Sequence, residues 1–206
     1  MKDLEKRSYS FDPRAEGNRI TGRPIVYGSR TDIGPFDEII EAGALDGADL
    51  RDVRFLVNHD ISRIPLARSR RNNGNSTMQL IPDEQGLSID VQLDTENNAD
   101  ARALYSAVDR GDISGMSFMF SVDDEEWENL DSDHPTRHIR KIGSVVEVSA
   151  VTFPAYESTE IFARSKEALE SARSALENAR QQSVETVDTA LELAKEKTKL
   201  LVGGLN

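Results

Sequence analysis

The 206 residues contain no cysteine. This excludes a disulfide framework, a thiolate nucleophile and any zinc site built on thiolates. Long apolar runs are also missing. No stretch approaches the roughly 20 residues of a membrane-spanning helix, and the opening "MKDLEKRSYSF" lacks the apolar centre of a secretory signal. Basic charge is scarce, with 25 Lys and Arg against 37 Asp and Glu and a net charge of −12. A face that neutralises nucleic-acid phosphates is therefore not expected, and the densest basic patch, "ARSRRNNGN" at 67–75, reads as a solvated loop. The chain is expected to be soluble and unexported, binding neither nucleic acid nor membrane. Its hydrophobic share is 37% and its charged share 30%, a balance in which part of the chain does not contribute to a core. The length suits one main domain with an appendage.

What is present divides the chain by hydrophobic period. Residues 1–16 are polar and include "DPRAEG", the pattern of a short strand or tail ending at a turn. "RITGRPIVYGS" sets Ile20, Ile25 and Val26 among Gly22, Pro24 and Gly28, as in a kinked or edge strand. "FDEIIEAGALDGADL" reads as a loop with a short helical turn. In "DVRFLVNHD" Val53, Phe55, Val57 and His59 alternate, so a strand would carry an imidazole in an apolar row. "STMQLIPDEQGLSIDVQLD" predicts a hairpin, with Leu87, Ile89, Val91 and Leu93 alternating and a turn that starts at Pro and closes at Gly.

"NNADARALYSAVDRGD" changes period: Ala101, Leu104, Tyr105 and Val108 share a helical face, with Asn98 as N-cap and Gly111 as stop. Next, Met116, Phe118, Phe120 and Val122 form one face of a strand, which turns Ser117 to the other. "GSVVEVSAVTFPA" predicts a buried central strand. From Ala155 to Val202 there is neither Gly nor Pro. Leu169, Ala172, Leu176 and Ala179 follow helical spacing, resumed by Val187, Leu191 and Ala194 after a slip near Ser183. One or two amphipathic helices with a thin stripe follow, which must pair with another helix or stay partly mobile.

The chain has 3 histidines, His59, His134 and His138. In "DSDHPTRH" His134 and His138 stand beside Asp131 and Asp133, but Pro135 breaks the helical spacing a metal site would need, so no metal is assigned. Serine catalysis needs a base, a group that orients it and donors for the oxyanion. His59 is the candidate base, although a core histidine with satisfied nitrogens also fits its place. Ser117, preceded by Gly115, is the candidate nucleophile, with Ser114 in the turn "GDISG" as competitor. Glu147 shares a strand face with Val145 and Ser149, either as the orienting carboxylate or as a solvated edge residue.

Taken in order, "GRPIVYGSRTDIGPFDEIIEAGAL", "FLVNHD", "GDISGMSFMF" and "VVEVSAVTFPAY" resemble the prohead, or capsid-maturation, serine proteases of tailed bacteriophages, relatives of the herpesvirus assemblins. The resemblance runs over roughly residues 18–163. It departs at Ala67, where relatives often have glycine, and at Met119, which replaces a small residue. It implies an α+β, mainly β fold: a compact assemblin-like barrel with flanking helices and an amphipathic helical tail. The implied division is an N-terminal tail at 1–16, a protease domain at 17–163 and a scaffold-like helical segment at 164–206.

The implied activity is that of a serine endopeptidase, with Ser117 as nucleophile, His59 as base and Glu147 as orienting acid. Asp60 or His138 are alternatives to Glu147, while Gly115, Met116 and Arg140 of "RHIRKIG" are assigned to the oxyanion site or substrate groove. No cofactor is implied. The implied substrates are scaffolding protein, the scaffold segment of the major capsid protein and the chain itself, inside an assembling procapsid in the host cytoplasm, with room for a homo-oligomer. Rival readings are a non-catalytic assembly factor that uses the fold for docking and a metal-dependent hydrolase built around His134 and His138.

Overall fold

The computed structural model describes residues 4–10, 13–71, 74–152 and 166–203. Its elements are, in order, β1 (Glu5–Ser10), β2 (Arg14–Glu16), β3 (Arg19–Val26), β4 (Arg30–Asp32), β5 (Asp37–Ile40), β6 (Asp52–Val57), β7 (Ala67–Arg70), β8 (Met78–Asp83), β9 (Gly86–Gln92), α1 (Ala99–Asp109), β10 (Gly115–Glu128), β11 (Thr136–Val151) and α2 (Lys166–Gly203). They form a mixed, mainly β structure of two sheets. Strands β1-β10-β11-β5-β4, with β6 and β7 added beside β11, make a seven-stranded sheet, and β2-β3-β9-β8 a four-stranded one. Among the described residues no closed barrel forms, which corrects the barrel expectation: β1, β4, β7, β2 and β8 remain strand edges.

The framework is the long β10–β11 hairpin. β11 then runs parallel to β5 at its start and to β6 at its end, where Glu147 pairs with Arg54 and Ser149 with Leu56. Met116, Phe118 and Phe120 are fully buried, in one cluster with Ile20, Ile89, Met78 and Val91 of the smaller sheet and Leu104 of α1. Each Å² of apolar surface that this interface removes from water contributes roughly 25 cal/mol of stability. The helix α1 forms as its pattern demands: the Asn98 side chain accepts from the Asp100 and Ala101 N–H groups, and Ala101, Leu104 and Val108 are buried. The expected β8–β9 hairpin also forms, and its Gly86 has φ 139, with no room for a Cβ, which would lie 2.1 Å from the Ile25 carbonyl oxygen.

Some segments depart from the sequence reading. Asp37–Ile40 is a strand rather than part of a loop, because pairing on both sides, to β4 and to β11, outweighs its weak pattern. Residues 5–10, read as a short strand or tail, are a strand of the large sheet, paired along β10 from Glu5 opposite Phe120 to Ser10 opposite Gly115. A buried ion network holds it there. Arg7 donates to Glu5 and Glu38 at 2.6 Å each, and Arg137 donates to Glu5 at 2.6 and 2.8 Å, to Glu38 at 3.1 Å and to Glu125 at 2.9 Å. Burial alone would push the Glu5 carboxyl up. The Arg137 hydrogen bond and the Arg7 and Arg137 charges outweigh it and bring the group down to about 2.

The last helix is one 38-residue element, and among the described residues only part of its stripe is buried. Ala172 and Leu176 are buried against Ile33 and Phe36, next to Trp127 and Leu130, while Arg180 donates to the Leu130 and Ser132 carbonyls. Farther along, Val184 and Leu193 are exposed. No described helix is long and apolar enough to cross a membrane. Residues around Pro154, the expected end of the central strand, and Leu169, of the expected helical stripe, lie partly or wholly outside what is described.

Candidate active site

Strand alternation puts Ser117 on the opposite face of β10 from Met116 and Phe118. Cross-strand register then brings Ser149 directly opposite Ser117, and Glu147 opposite Met119, so that Ser117, Glu147 and Ser149 share one face. All three are buried, at 0%, 3% and 0% exposure.

The histidine reaches this face by a route the alternation did not foresee. β6 stops at Val57, and Asn58 and His59 both adopt left-handed backbone, with φ of 52° and 59°. Left-handed geometry in non-glycine residues costs about 1–3 kcal/mol each and persists only when its surroundings enforce it. Here the enforcement is visible. Asn58 N–H donates to the Ala150 carbonyl, its side chain exchanges hydrogen bonds with Thr152 at 3.0 and 3.1 Å, and His59 N–H donates to Ser149 Oγ at 3.0 Å. The expected in-line row ending at His59 is thus corrected, and the imidazole instead turns onto the face of Ser117.

The result is one continuous chain of contacts. Glu147 Oε1 meets His59 Nδ1, and His59 Nε2 lies 2.5 Å from Ser117 Oγ. Ser149 Oγ donates to the other carboxylate oxygen, Glu147 Oε2, at 2.7 Å. Ser149 therefore ties the acid to the backbone of the histidine, a role that sequence reading missed although the residue stands on the Glu147 face. The imidazole is the member nearest solvent, its side chain 15% exposed. Ser117 Oγ also donates to the Arg7 carbonyl at 2.6 Å. A hydroxyl has one proton, so passing it to His59 requires the O–H to rotate away from Arg7.

Other candidates lie elsewhere. The Asp60 carboxylate accepts from the Ser62 N–H and hydroxyl, and His138 pairs with Glu41 at 2.7 Å. Neither takes the place of Glu147. Arg140 lies within β11, paired with Glu126, roughly 30 Å along the strand from Ser149 at ~3.3 Å per residue. It does not reach the site, which corrects its assignment to the oxyanion site or groove: the extended strand carries it away from Ser117. Met116 buries its side chain in the core, and both it and Gly115 pair in register with β1 on one edge and β11 on the other. His59 faces Ser117 and not Ser114.

His134 and His138 do not converge. His134 instead meets Asp37 at 3.1 Å and forms with it and Asp32 a cluster whose ligand atoms lie within 4.8 Å of one another. Arg30 already pairs with Asp37 at 2.8 Å, so that carboxylate is compensated without an ion. Burial alone would raise the Asp37 carboxyl, but hydrogen bonds from Arg30 and His134 lower it.

A Glu–His–Ser arrangement of this kind can pass a proton from the hydroxyl to the imidazole while the acid fixes the ring. A family model described as caudovirus prohead serine protease matches residues 2–173. The prohead protease of Enterobacteria phage HK97 is 32% identical over 130 residues, 61% of this chain and 52% of that protein. The chain thus spans about half the length of this curated relative. Among solved structures, that of the bacteriophage T4 capsid assembly protease, gp21, is similar with a TM-score of 0.39 at 10% identity, over 73% of this chain and 98% of that one.

Proposed function

The chain belongs to the caudovirus prohead serine protease family, and on that premise we propose that it is a serine endopeptidase acting during capsid maturation. The observation that carries the reading is the unbroken contact from Glu147 through His59 to Ser117. Ser117 Oγ attacks a peptide carbonyl carbon as its proton moves to His59 Nε2. The C–N bond then breaks, the proton passes to the departing amine, and an ester to Ser117 remains. Water, deprotonated by the same imidazole, hydrolyses that ester and restores the serine. Glu147 holds the ring through Nδ1 and stabilises its charged form.

The substrates proposed are the scaffolding protein or the scaffold segment of the major capsid protein, and the chain itself, within the procapsid. The protease unit corresponds to residues 17–163, with β1 of the preceding segment completing its sheet. Helix α2, whose outer half exposes Val184 and Leu193, acts as a scaffold-like segment. The test is to incubate the purified full chain with procapsids of its phage and to weigh the products. Wild type is expected to release fragments from the shell proteins and from its own residues 164–206. His59→Ala is expected to release neither, and equal processing by both would overturn the reading.

One observation favours a second reading. Ser117 is fully buried and its hydroxyl is taken up by the Arg7 carbonyl, as suits an assembly factor that keeps the fold for docking alone. That protein would support assembly equally well as Ser117→Ala.

A further inference from the structure

Next to the candidate triad lies a hollow that the mechanism does not use. It has a volume of about 390 Å³, and its walls include Leu56, Leu66, Leu104, Ala107 and Ile113. Asn58 and Asp60, the neighbours of His59 on either side, belong to its lining. Its position follows from the fold. Leu56 pairs in register with Ser149, which puts it beside the triad, and Ile113 lies two residues before Gly115, the start of the strand that carries Ser117. Thus the loop that delivers the imidazole on one side forms a wall of the hollow on the other.

The same loop carries a second anomaly. Ile61 and Ile64 are 79% and 84% exposed, the highest values among the exposed large hydrophobic residues described. Isolated exposed aliphatics are ordinary, but here Ile64 lines an apolar hollow that abuts the candidate centre, and Ile61 lies three residues before it in the same loop. The polar rim is already occupied. Arg63 spans Asp60 at 3.7 Å and Asp100 at 3.6 Å, so an incoming charge would find its counter-charge engaged. The walls recognise hydrocarbon, and the volume lies within the range of small-ligand pockets.

We propose that this hollow, between α1 and the His59 loop, is the specificity subsite of the enzyme: it receives a branched or long aliphatic side chain of the substrate peptide, next to the scissile bond. The occupant is an extended peptide that meets Ser117 and the hollow together. Ile61 and Ile64 close over its side chain, giving both a partner. This inference rests on the endopeptidase reading.

The test uses the full chain and a pool of peptides derived from a digested proteome, with cleavage sites read by mass spectrometry. Wild type is expected to favour Leu, Ile, Val or Met over Ser and Asp by about tenfold or more at one position flanking the cut, the scale on which apolar pockets discriminate. Ala103→Phe, an exposed position of α1 on the wall of the hollow, fills it and removes most of that preference. Ile64→Ser alters an exposed side chain whose loss leaves no core cavity, and weakens the preference several-fold. A flat or charge-directed profile in wild type overturns the subsite and leaves the protease reading intact, as does a profile unchanged in both variants. Absence of any cleavage by wild type overturns the endopeptidase reading and the subsite with it.

Discussion

In the Glu5–Arg7–Glu38–Arg137 network every charge faces an opposite one, and Glu5 and Arg137 are tied by paired hydrogen bonds on both carboxylate oxygens. In the Glu147–His59–Ser117 chain one acid faces one imidazole, which faces a hydroxyl, and the imidazole alone reaches solvent. Both clusters draw on β10 and β11, and they meet at Arg7, whose guanidinium belongs to the first while its carbonyl accepts from Ser117. The first is compensated and therefore static: moving any member strands a buried charge. The second has a proton that can change owner at the cost of one O–H rotation. The sheet that holds the Glu147–His59–Ser117 contacts in register thus has, one residue away, an ionic lock on the strand beside it.

That contrast can be broken from either side. The largest effect is expected from Ser117→Ala, which should lower peptidase turnover by at least about 10⁴-fold while leaving Tm unchanged, measured by peptide assay and calorimetry together. Arg137→Met should do the reverse in kind. It leaves the buried Glu5 and Glu38 carboxylates to share Arg7 as their one remaining guanidinium within the network and should cost about 3–5 kcal/mol of stability, or a Tm drop of at least about 6 °C for a chain of this size.

A smaller effect is expected at the joint between acid and base. Ser149→Ala removes a hydrogen bond to the Glu147 carboxylate and should reduce kcat roughly 10- to 100-fold with little change in KM, and Ser149→Thr should restore part of it. Smaller again is the acid response of the lock. The Glu5 carboxyl, lowered to about 2 when folded, contributes stability that is complete above the ordinary carboxylate value and is lost as pH falls through about 2. Tm should therefore decline between about pH 4.5 and pH 2, and Glu5→Gln should flatten the part of that decline that belongs to this group. The smallest effect should come from a chelator, which leaves turnover unchanged; loss of turnover restored by zinc would instead implicate Asp32, Asp37 and His134.

The two clusters also differ in how far the sequence discloses them. Ser117 and Glu147 are legible because alternation alone assigns their face once β10 and β11 are recognised, and Ser149, two places beyond Glu147, follows by the same rule. The left-handed pair Asn58 and His59 is not legible, since alternation in β6 carries no signal that the strand ends at Val57; only contacts with Ala150, Thr152 and Ser149 impose the turn. The ionic lock is invisible for a different reason. Apolar periodicity reads Glu5, Arg7, Glu38 and Arg137 as solvent-facing, and their burial depends on partners that lie far apart in the chain. The same blindness made a loop of Asp37–Ile40 and left β1 open between a short strand and a tail. Elements with local determinants, such as α1 with its Asn98 cap and the turn into Gly86, were readable in full.

The most direct measurement is the rate and place of modification by a fluorophosphonate, which reacts with a serine only when a neighbouring base activates it. The account expects one adduct on the full chain, located at Ser117 by peptide mass, and none in the His59→Ala variant. An unmodified wild-type protein, or an adduct on Ser114 that persists without His59, would contradict it.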